Sequence, residues 1–344
     1  MLPVQRALLI INRSAGTGQS ESTLAGLTCL FKENLPELSD VRVELVTNHS
    51  DARTCAARFI NESSAAAFVV VGGGGGTLRA VVEGICTSAA VPAPERVRVG
   101  ALRMGSGNLL AKQFGAPRDP VVGLAGILAN LKAGHTVSCS LTRCETWNKE
   151  GNSEVHYVVA LGGLGQFGRI PSDLARWHKR VSGVRKSVAG LFGVERVNNA
   201  EYGFAVFIRS LFDRPQPVKI HYQNQTEELR LLSGAVMNFP IAGLPFRPTV
   251  TVEDEAFCVY LVPQNGRVSS LMQIAAPKRL LPHTRCLRIE KDQQLEIRFA
   301  DDEAVEFFLD EDPVTTYKKL TLSVAGSIAF VPGPDYQSVD EETM

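Results

Sequence analysis

Five consecutive glycines, Gly72 to Gly76, separate an apolar run from a run with helical periodicity. The preceding residues, "AAAFVVV", are typical of a buried strand, and a helix-like pattern begins at Thr77. Glycine has no Cβ, so its backbone can turn sharply and approach a ligand closely. A strand, a glycine turn and a helix in that order predict a parallel α/β unit, in which ligands bind where strands end and helices begin.

The first 135 residues alternate strands with helices. The segments "RALLIIN", "VRVELVT", "AAAFVVV" and "RVRVGAL" are predicted strands. The helix after the second strand can be capped by Ser50 or Asp51. Its apolar face has helical spacing and comprises Ala52, Cys55, Ala56, Phe59 and Ile60. A later helix starts at Asp119 and Pro120 and closes at Gly134. This alternation predicts a parallel sheet with helices on both faces.

From His135 the pattern changes to short strands, which predict an antiparallel β-sandwich. One of these predicted strands is "VHYVVALG", and a helical stretch from Ser172 to Phe192 interrupts the series. We therefore predict an α/β domain over residues 1–135 and a sandwich domain over 136–332. Residues 333–344 are predicted to be a frayed acidic tail.

Composition argues against several classes of protein. Lys plus Arg and Asp plus Glu each number 36, so no large net field favours nucleic acid. The seven cysteines include no CxxC pair, and the six histidines show no metal-ligand spacing, which indicates reduced thiols and no zinc site. Since no apolar run reaches membrane length, we predict a cytoplasmic protein.

One segment is strongly basic. Between Arg169 and Ser187, six Arg or Lys residues and one Asp surround Trp177. A basic segment with an aromatic anchor suits contact with anionic lipid headgroups, which would place the protein peripherally at a membrane. The alternative is an ordinary solvated helix. A homodimer is compatible with the sequence.

Two further glycine-rich loops accompany the first. "NRSAGTG" and "GSGN" also follow predicted strands and precede helices. Helix N-termini behind such loops offer free N–H groups to phosphate, and Thr77, Ser106 and Asn108 can cap them or donate hydrogen bonds. One such loop is compatible with a simple tight turn, whereas three in one α/β domain favour a nucleotide site.

These segments resemble the catalytic region of the diacylglycerol kinase family, which includes bacterial lipid kinases, sphingosine kinases and ceramide kinases. "NRSAG", Thr47 ahead of "SDA", "VVVGGGGGTLRAVVEG" and "RMGSGNLLAKQFG" follow the order of the family motifs. The resemblance implies an α/β domain that binds ATP and Mg²⁺, followed by a sandwich domain that helps hold a lipid substrate. The residues it implies for nucleotide binding are Asn12, Ser14, Gly16, Thr47, Gly73, Gly74, Gly75, Gly76, Thr77, Gly105, Ser106 and Asn108.

The chain departs from the family pattern at the residues that carry charge. Gly75 stands where the family has the Asp of G-G-D-G-T, and Arg79 and Ala80 replace the Asn and Glu that follow. The late family segment D-G-E is similar to Asp310, Glu311 and Asp312. The resemblance makes these three the candidate metal ligands, with Asp310 and Asp312 also the candidate catalytic groups; the alternative is an ordinary solvated turn. Glu83, further along the helix, is predicted to be solvated.

Two hypotheses follow. The first is an ATP-dependent lipid kinase that moves the γ-phosphate to a hydroxyl of a diacylglycerol- or sphingoid-type lipid. The second is a catalytically impaired nucleotide- or lipid-binding protein, because glycine at position 75 can neither bind Mg²⁺ nor accept a proton. NAD kinases share the G-G-D-G-T pattern and are a more distant alternative.

Overall fold

The computed structural model describes residues 4–16, 20–88, 96–105, 108–169, 172, 215–241, 246–264, 284–300, 303–310 and 312–337. Five helices have described bounds: α1 (Glu21–Glu33), α2 (His49–Asn61), α3 (Gly75–Cys86), α4 (Leu109–Gln113) and α5 (Pro120–Lys132). The strands of the first part are β1 (Arg6–Asn12), β2 (Asp40–Val46), β3 (Ala67–Gly73) and β4 (Val97–Arg103). The later strands are β5 (Val137–Trp147), β6 (Ser153–Val158), β7 (Leu161–Leu164), β8 (Gln216–Tyr222), β9 (Gln225–Met237), β10 (Ala256–Pro263), β11 (Arg285–Glu290), β12 (Gln294–Phe299), β13 (Val305–Leu309), β14 (Asp312–Thr316) and β15 (Lys319–Phe330).

The first four strands form the predicted parallel sheet, in the order β4-β3-β1-β2. Successive side chains of β1 point to opposite faces, as the pleat requires. Leu8 and Ile10 pack with α2 and α3, whereas Leu9 and Ile11 pack with α1 and α5. The α/β prediction is confirmed, and all four strands end at the same edge of the sheet.

Two helix starts differ from the predictions. The side chain of Asn48 caps α2 by accepting a hydrogen bond from the backbone N–H of Asp51, so neither Ser50 nor Asp51 is the cap. The predicted apolar face of α2 is buried as expected. Helix α3 starts at Gly75 rather than Thr77, and β3 continues through Gly73. Two glycines therefore belong to the strand, two to the helix, and only Gly74 lies between.

The later strands form the predicted antiparallel region, and apolar side chains from β5 to β13 and from β15 enclose a second core. The predicted strand "VHYVVALG" is wrong in one respect, since it is interrupted between β6 and β7. The interruption occurs where the Asp310 carboxylate accepts hydrogen bonds from the backbone N–H groups of Val159, Ala160 and Leu161. These amides therefore bind a side chain instead of continuing a strand ladder.

The last strand joins the two regions of the sheet. β15 pairs antiparallel with β5 over most of its length, and its end pairs parallel with β4. The segment beyond it donates hydrogen bonds from Gly333 and Asp335 to the carbonyls of Phe114 and Gly115. The prediction of fraying is therefore wrong for these residues, while 338–344 lie outside the described ranges. The division into domains at residue 135 stays a prediction.

The contact between Gly115 and the C-terminal segment leads to a test of stability. Gly115 has a φ of +73°, and a Cβ there would collide with the backbone of Tyr336. Gly134 has a φ of +75° with nothing within 4 Å of a Cβ. We expect Gly134→Ala to cost about 1–2 kcal/mol, the penalty of left-handed backbone. Gly115→Ala should cost about 1–3 kcal/mol more, since it adds an overpacked contact. Urea unfolding of both variants measures the difference, and equal losses would contradict it.

No helix among the described residues is long and apolar enough to cross a membrane. The basic segment from Arg169 to Ser187 lies outside the described residues, except for Arg169 and Ser172. The helical stretch predicted from Ser172 to Phe192 falls in the same part of the chain. Membrane contact through this segment therefore stays a prediction.

Candidate functional site

The three glycine loops meet at the carboxyl ends of β1, β3 and β4. A Cβ on Gly105 would overlap the Cα of Gly74, and a Cβ on Gly16 would lie 2.7 Å from the carbonyl oxygen of Met104. The Asn12 amide donates a buried hydrogen bond of 3.0 Å to the Thr77 hydroxyl. Only glycine permits these backbone approaches, so the sequence fixes the loops against one another.

Helix α3 begins where the three glycine loops meet, and no side chain caps its first backbone N–H groups. Its N-cap residue is Gly74, which has no side chain to accept hydrogen bonds from the first turn. The backbone N–H groups at the start of a helix lack intrahelical partners, and the helix dipole adds partial positive charge there. The start of α3 therefore has the chemistry of an anion-binding site.

The third glycine loop, at Gly105, is held in place by the side chain of Asn108. Asn108 occupies the N-cap position of α4 in a left-handed conformation with a φ of +54°, but its side chain makes no capping hydrogen bond to the helix. Its amide group donates to the carbonyl of Gly105 and accepts from the N–H of Gly105 at 2.7 Å. This hydrogen-bonded turn keeps Gly105 against Gly74.

The remaining residues predicted to bind nucleotide differ in position. Ser14 and Thr47 are exposed in the loops after β1 and β2, and the backbone N–H of Ser14 donates to the Asn12 side chain. Ser106 and Glu311 lie outside the described residues. The nucleotide-binding role of the whole set stays a prediction.

Asp310 is engaged by the backbone. Its carboxylate accepts hydrogen bonds of 2.7 to 3.0 Å from the N–H groups of Val159, Ala160 and Leu161. Asp310 is buried, with 3% of its surface exposed. Burial raises the pKa of Asp310 to about 6, although these three amides favour the charged form. The contacts suit a carboxylate that organises the β6–β7 turn better than one that binds a metal.

Asp312 lies against the first turn of α3. A Cβ on Gly76 would collide with its carboxylate and would lie 2.6 Å from the Cε1 atom of His49. The Asp312 carboxylate accepts a hydrogen bond of 2.8 Å from Arg79, and the Nδ1 atom of His49 is 3.0 Å away. Burial opposes its charge, but the His49 hydrogen bond and the Arg79 charge outweigh burial and hold its pKa below the usual value.

The prediction that Glu83 is solvated is wrong. Glu83 is 3% exposed and pairs with Arg79, one helical turn before it. Its carboxylate also accepts a hydrogen bond of 3.3 Å from the Tyr157 N–H and lies 3.7 Å from Arg53. Burial opposes the charge on Arg79, but Glu83 and Asp312 offset it and keep the pKa of Arg79 above its usual value.

Sequence reasoning missed the side chains that connect this site. Arg79 joins Glu83 to Asp312, which is 233 residues away in the chain. His49, one of the histidines that show no metal-ligand spacing, pairs with Asp312. The Arg79–Glu83 spacing of four residues was the one available signal, but that spacing is also common on solvated helix faces.

The described residues do not fit a protein-bound Mg²⁺ at the start of α3. No group of three His, Cys, Asp or Glu side chains in the described ranges could hold a metal ion. Asp310 is occupied by amides, and Asp312 is paired with Arg79. We therefore assign no chemical step to a metal bound by these residues.

Comparison with known proteins gives a family match for the N-terminal region. Residues 6–144 match the family model of the diacylglycerol kinase catalytic domain. A comparison with curated protein sequences gives no match. A diacylglycerol kinase from Bacillus anthracis superposes with a TM-score of 0.60 at 17% identity, over 96% of this chain and 97% of that chain. Yeast NADH kinase complexed with NADH superposes with a TM-score of 0.54 at 11% identity, over 97% of this chain and 84% of that chain. Such identities establish the fold alone.

Proposed function

We propose that this protein is an ATP-dependent lipid kinase, because residues 6–144 match the family model of the diacylglycerol kinase catalytic domain. It binds ATP at the three glycine loops and moves the γ-phosphate to a hydroxyl of a diacylglycerol- or sphingoid-type lipid. The observation that carries the proposal is the contact of Gly105 with Gly74 at the uncapped start of α3. Backbone amides gathered at one helix N-terminus are suited to phosphate oxygens.

In this proposal the glycine loops act by positioning the phosphate chain of ATP. The Asn12–Thr77 hydrogen bond holds the first loop against α3, and Asn108 holds the third loop against Gly74. A phosphate chain bound by these amides has its reacting end fixed without reorganisation of the protein. Such fixed dipoles and positioning are the main sources of rate in phosphoryl transfer.

The acceptor lipid enters, in this proposal, from the side of the antiparallel strands. β14 begins at Asp312, whose carboxylate lies against Gly76 in the first turn of α3. A hydroxyl that reaches this point stands between the two parts of the chain and next to the reacting phosphate. The basic segment from Arg169 onward is proposed to contact the anionic membrane that supplies the lipid.

One observation favours the second hypothesis, a binding protein with impaired transfer. A kinase needs a group that accepts or orients the proton of the hydroxyl. Gly75 has no side chain, and Asp312 is a weak base because Arg79 and His49 stabilise its charge. Loss of a general base reduces rates by about 10²- to 10⁴-fold.

Transfer of labelled γ-phosphate from Mg²⁺-ATP into a mixed lipid extract distinguishes the two hypotheses. Gly75→Asp supplies the family carboxylate, and Gly75→Asn is the matched control of similar size without charge. Labelled lipid from the native protein supports the lipid kinase. Activity confined to Gly75→Asp, with a gain of about 10²-fold or more over Gly75→Asn, supports the impaired protein. Labelling of added NAD⁺ or NADH in place of lipid would contradict both.

A further inference from the structure

The charged side chains beside the start of α3 form a closed network that connects four elements. Arg79 of α3 pairs with Asp312 of β14 and with Glu83 of its own helix. Glu83 lies 3.5 Å from His156 of β6 and 3.7 Å from Arg53 of α2, and Asp312 contacts His49 of α2. The Arg79 side chain is 9% exposed and that of Glu83 is 4% exposed, so water does not screen these pairs strongly.

This network leaves no described carboxylate for a divalent cation. Protein-bound Mg²⁺ takes oxygen ligands in octahedral geometry, including one or two carboxylates, together with substrate phosphates. At this site Asp312 and Glu83 are bonded to a guanidinium, and Asp310 to three amides. Gly75 contributes no ligand. The cationic group in the network nearest the carboxylates is Arg79, which is part of the chain itself.

We propose that Arg79 replaces the divalent cation as the neutralising charge of this site, so that nucleotide phosphates bind at α3 without a metal held by the protein. An unpaired Asp312 beside Gly76 would repel phosphate. Arg79 removes that repulsion permanently, because a guanidinium stays charged at any physiological pH. Mg²⁺ carried by ATP itself can enter with the nucleotide, but binding does not depend on it. This inference rests on the nucleotide binding of the proposed function.

Isothermal titration of ATP into the native protein tests the inference directly. We expect dissociation constants in Mg²⁺ and in EDTA to agree within about threefold, which corresponds to less than 1 kcal/mol. A dissociation constant that is tenfold or more higher in EDTA than in Mg²⁺ would overturn the inference. If that rise disappears in Glu311→Gln, the cation is held by Glu311 and not replaced by Arg79. Absence of binding under both conditions would contradict the proposed nucleotide site itself, and the inference with it.

The variant Asp312→Asn tests the inference at a single carboxylate. Asparagine keeps an oxygen that accepts from Arg79 and His49, and it removes one negative charge next to the phosphates. We expect binding of metal-free ATP to tighten by about two- to tenfold, up to about 1.4 kcal/mol. Asp119→Asn is the matched control: it makes the same charge change at the N-cap of α5, where asparagine also caps. It should leave ATP affinity unchanged. Weaker Mg²⁺-ATP binding in Asp312→Asn would show that Asp312 is a metal ligand, which overturns the inference.

Titration of Mn²⁺ alone, followed by electron paramagnetic resonance, gives a readout without nucleotide. The native protein should show no site that Asp312→Asn removes. A Mn²⁺ site lost in Asp312→Asn and kept in Asp119→Asn would overturn the inference, whether or not ATP binds.

Discussion

Replacing Arg79 with methionine is expected to lower the free energy of unfolding by about 3–5 kcal/mol. Methionine preserves much of the side-chain volume but leaves the carboxylates of Glu83 and Asp312 without their main partner. Removing one member of a buried ion pair has this cost because the remaining charge stays in a poorly solvated position. Urea unfolding measures the effect, provided the dependence of free energy on denaturant is unchanged.

Two controls separate the loss of charge from the change of side chain. Arg58→Met removes an exposed arginine that lies 3.4 Å from Glu44, and it should cost less than about 1 kcal/mol. Adding Asp312→Asn and Glu83→Gln to Arg79→Met should recover about 2 kcal/mol or more, because no unpaired charge remains. A loss of less than about 1 kcal/mol in Arg79→Met would contradict the buried network.

Asp310→Ala is expected to destabilise the protein by about 3 kcal/mol or more. The substitution leaves the N–H groups of Val159, Ala160 and Leu161 without their acceptor, and each unsatisfied buried group costs about 1–3 kcal/mol. Asp292→Ala, an exposed aspartate between β11 and β12, should change stability by less than about 0.5 kcal/mol. A neutral effect of Asp310→Ala on stability with loss of phosphoryl transfer would instead support a catalytic role.

The stabilising effect of Asp310 should also depend on pH. Its pKa is about 6 in the folded protein, above the ordinary value of about 3.9 for an unfolded chain. Between these values the folded state binds a proton that the unfolded state has released. Stability from this group is therefore complete below about pH 4 and declines as pH rises through about 6. The difference in unfolding free energy between native protein and Asp310→Ala should narrow across that window, and a widening difference would contradict the assignment.

The elements that could be predicted from sequence are those governed by local periodicity. The buried face of α2, the capping of α5 by Asp119 and the glycine loops after β1 and β3 all follow from neighbouring residues. β14 has no such local signal, since it is a short strand with Pro313 near its start and, among the described strands, pairs only with β13. Proline is tolerated in such an edge strand because its missing N–H need not join a ladder.

The contacts of the charged residues in the site could not be predicted from local sequence patterns. Glu83 is buried because β6 packs against α3 and provides the N–H of Tyr157, a contact over 74 residues of sequence. The interruption between β6 and β7 likewise depends on Asp310, about 150 residues later. Hydrophobic periodicity reports which face of an element is covered, but it does not report which distant polar group covers it.

The parallel pairing of β15 with β4 has a consequence for the order of folding. β4 ends at Arg103, whereas its partner residues Ala329 and Phe330 leave the ribosome more than 200 residues later. Until then β4 has β3 on one side and an open edge on the other, which can pair with another chain. Closing so long a loop is slow because contacts distant in sequence carry a high entropic cost. A nascent or truncated chain that ends near residue 144 therefore lacks the partner of β4 at the centre of the sheet and is exposed to misassembly.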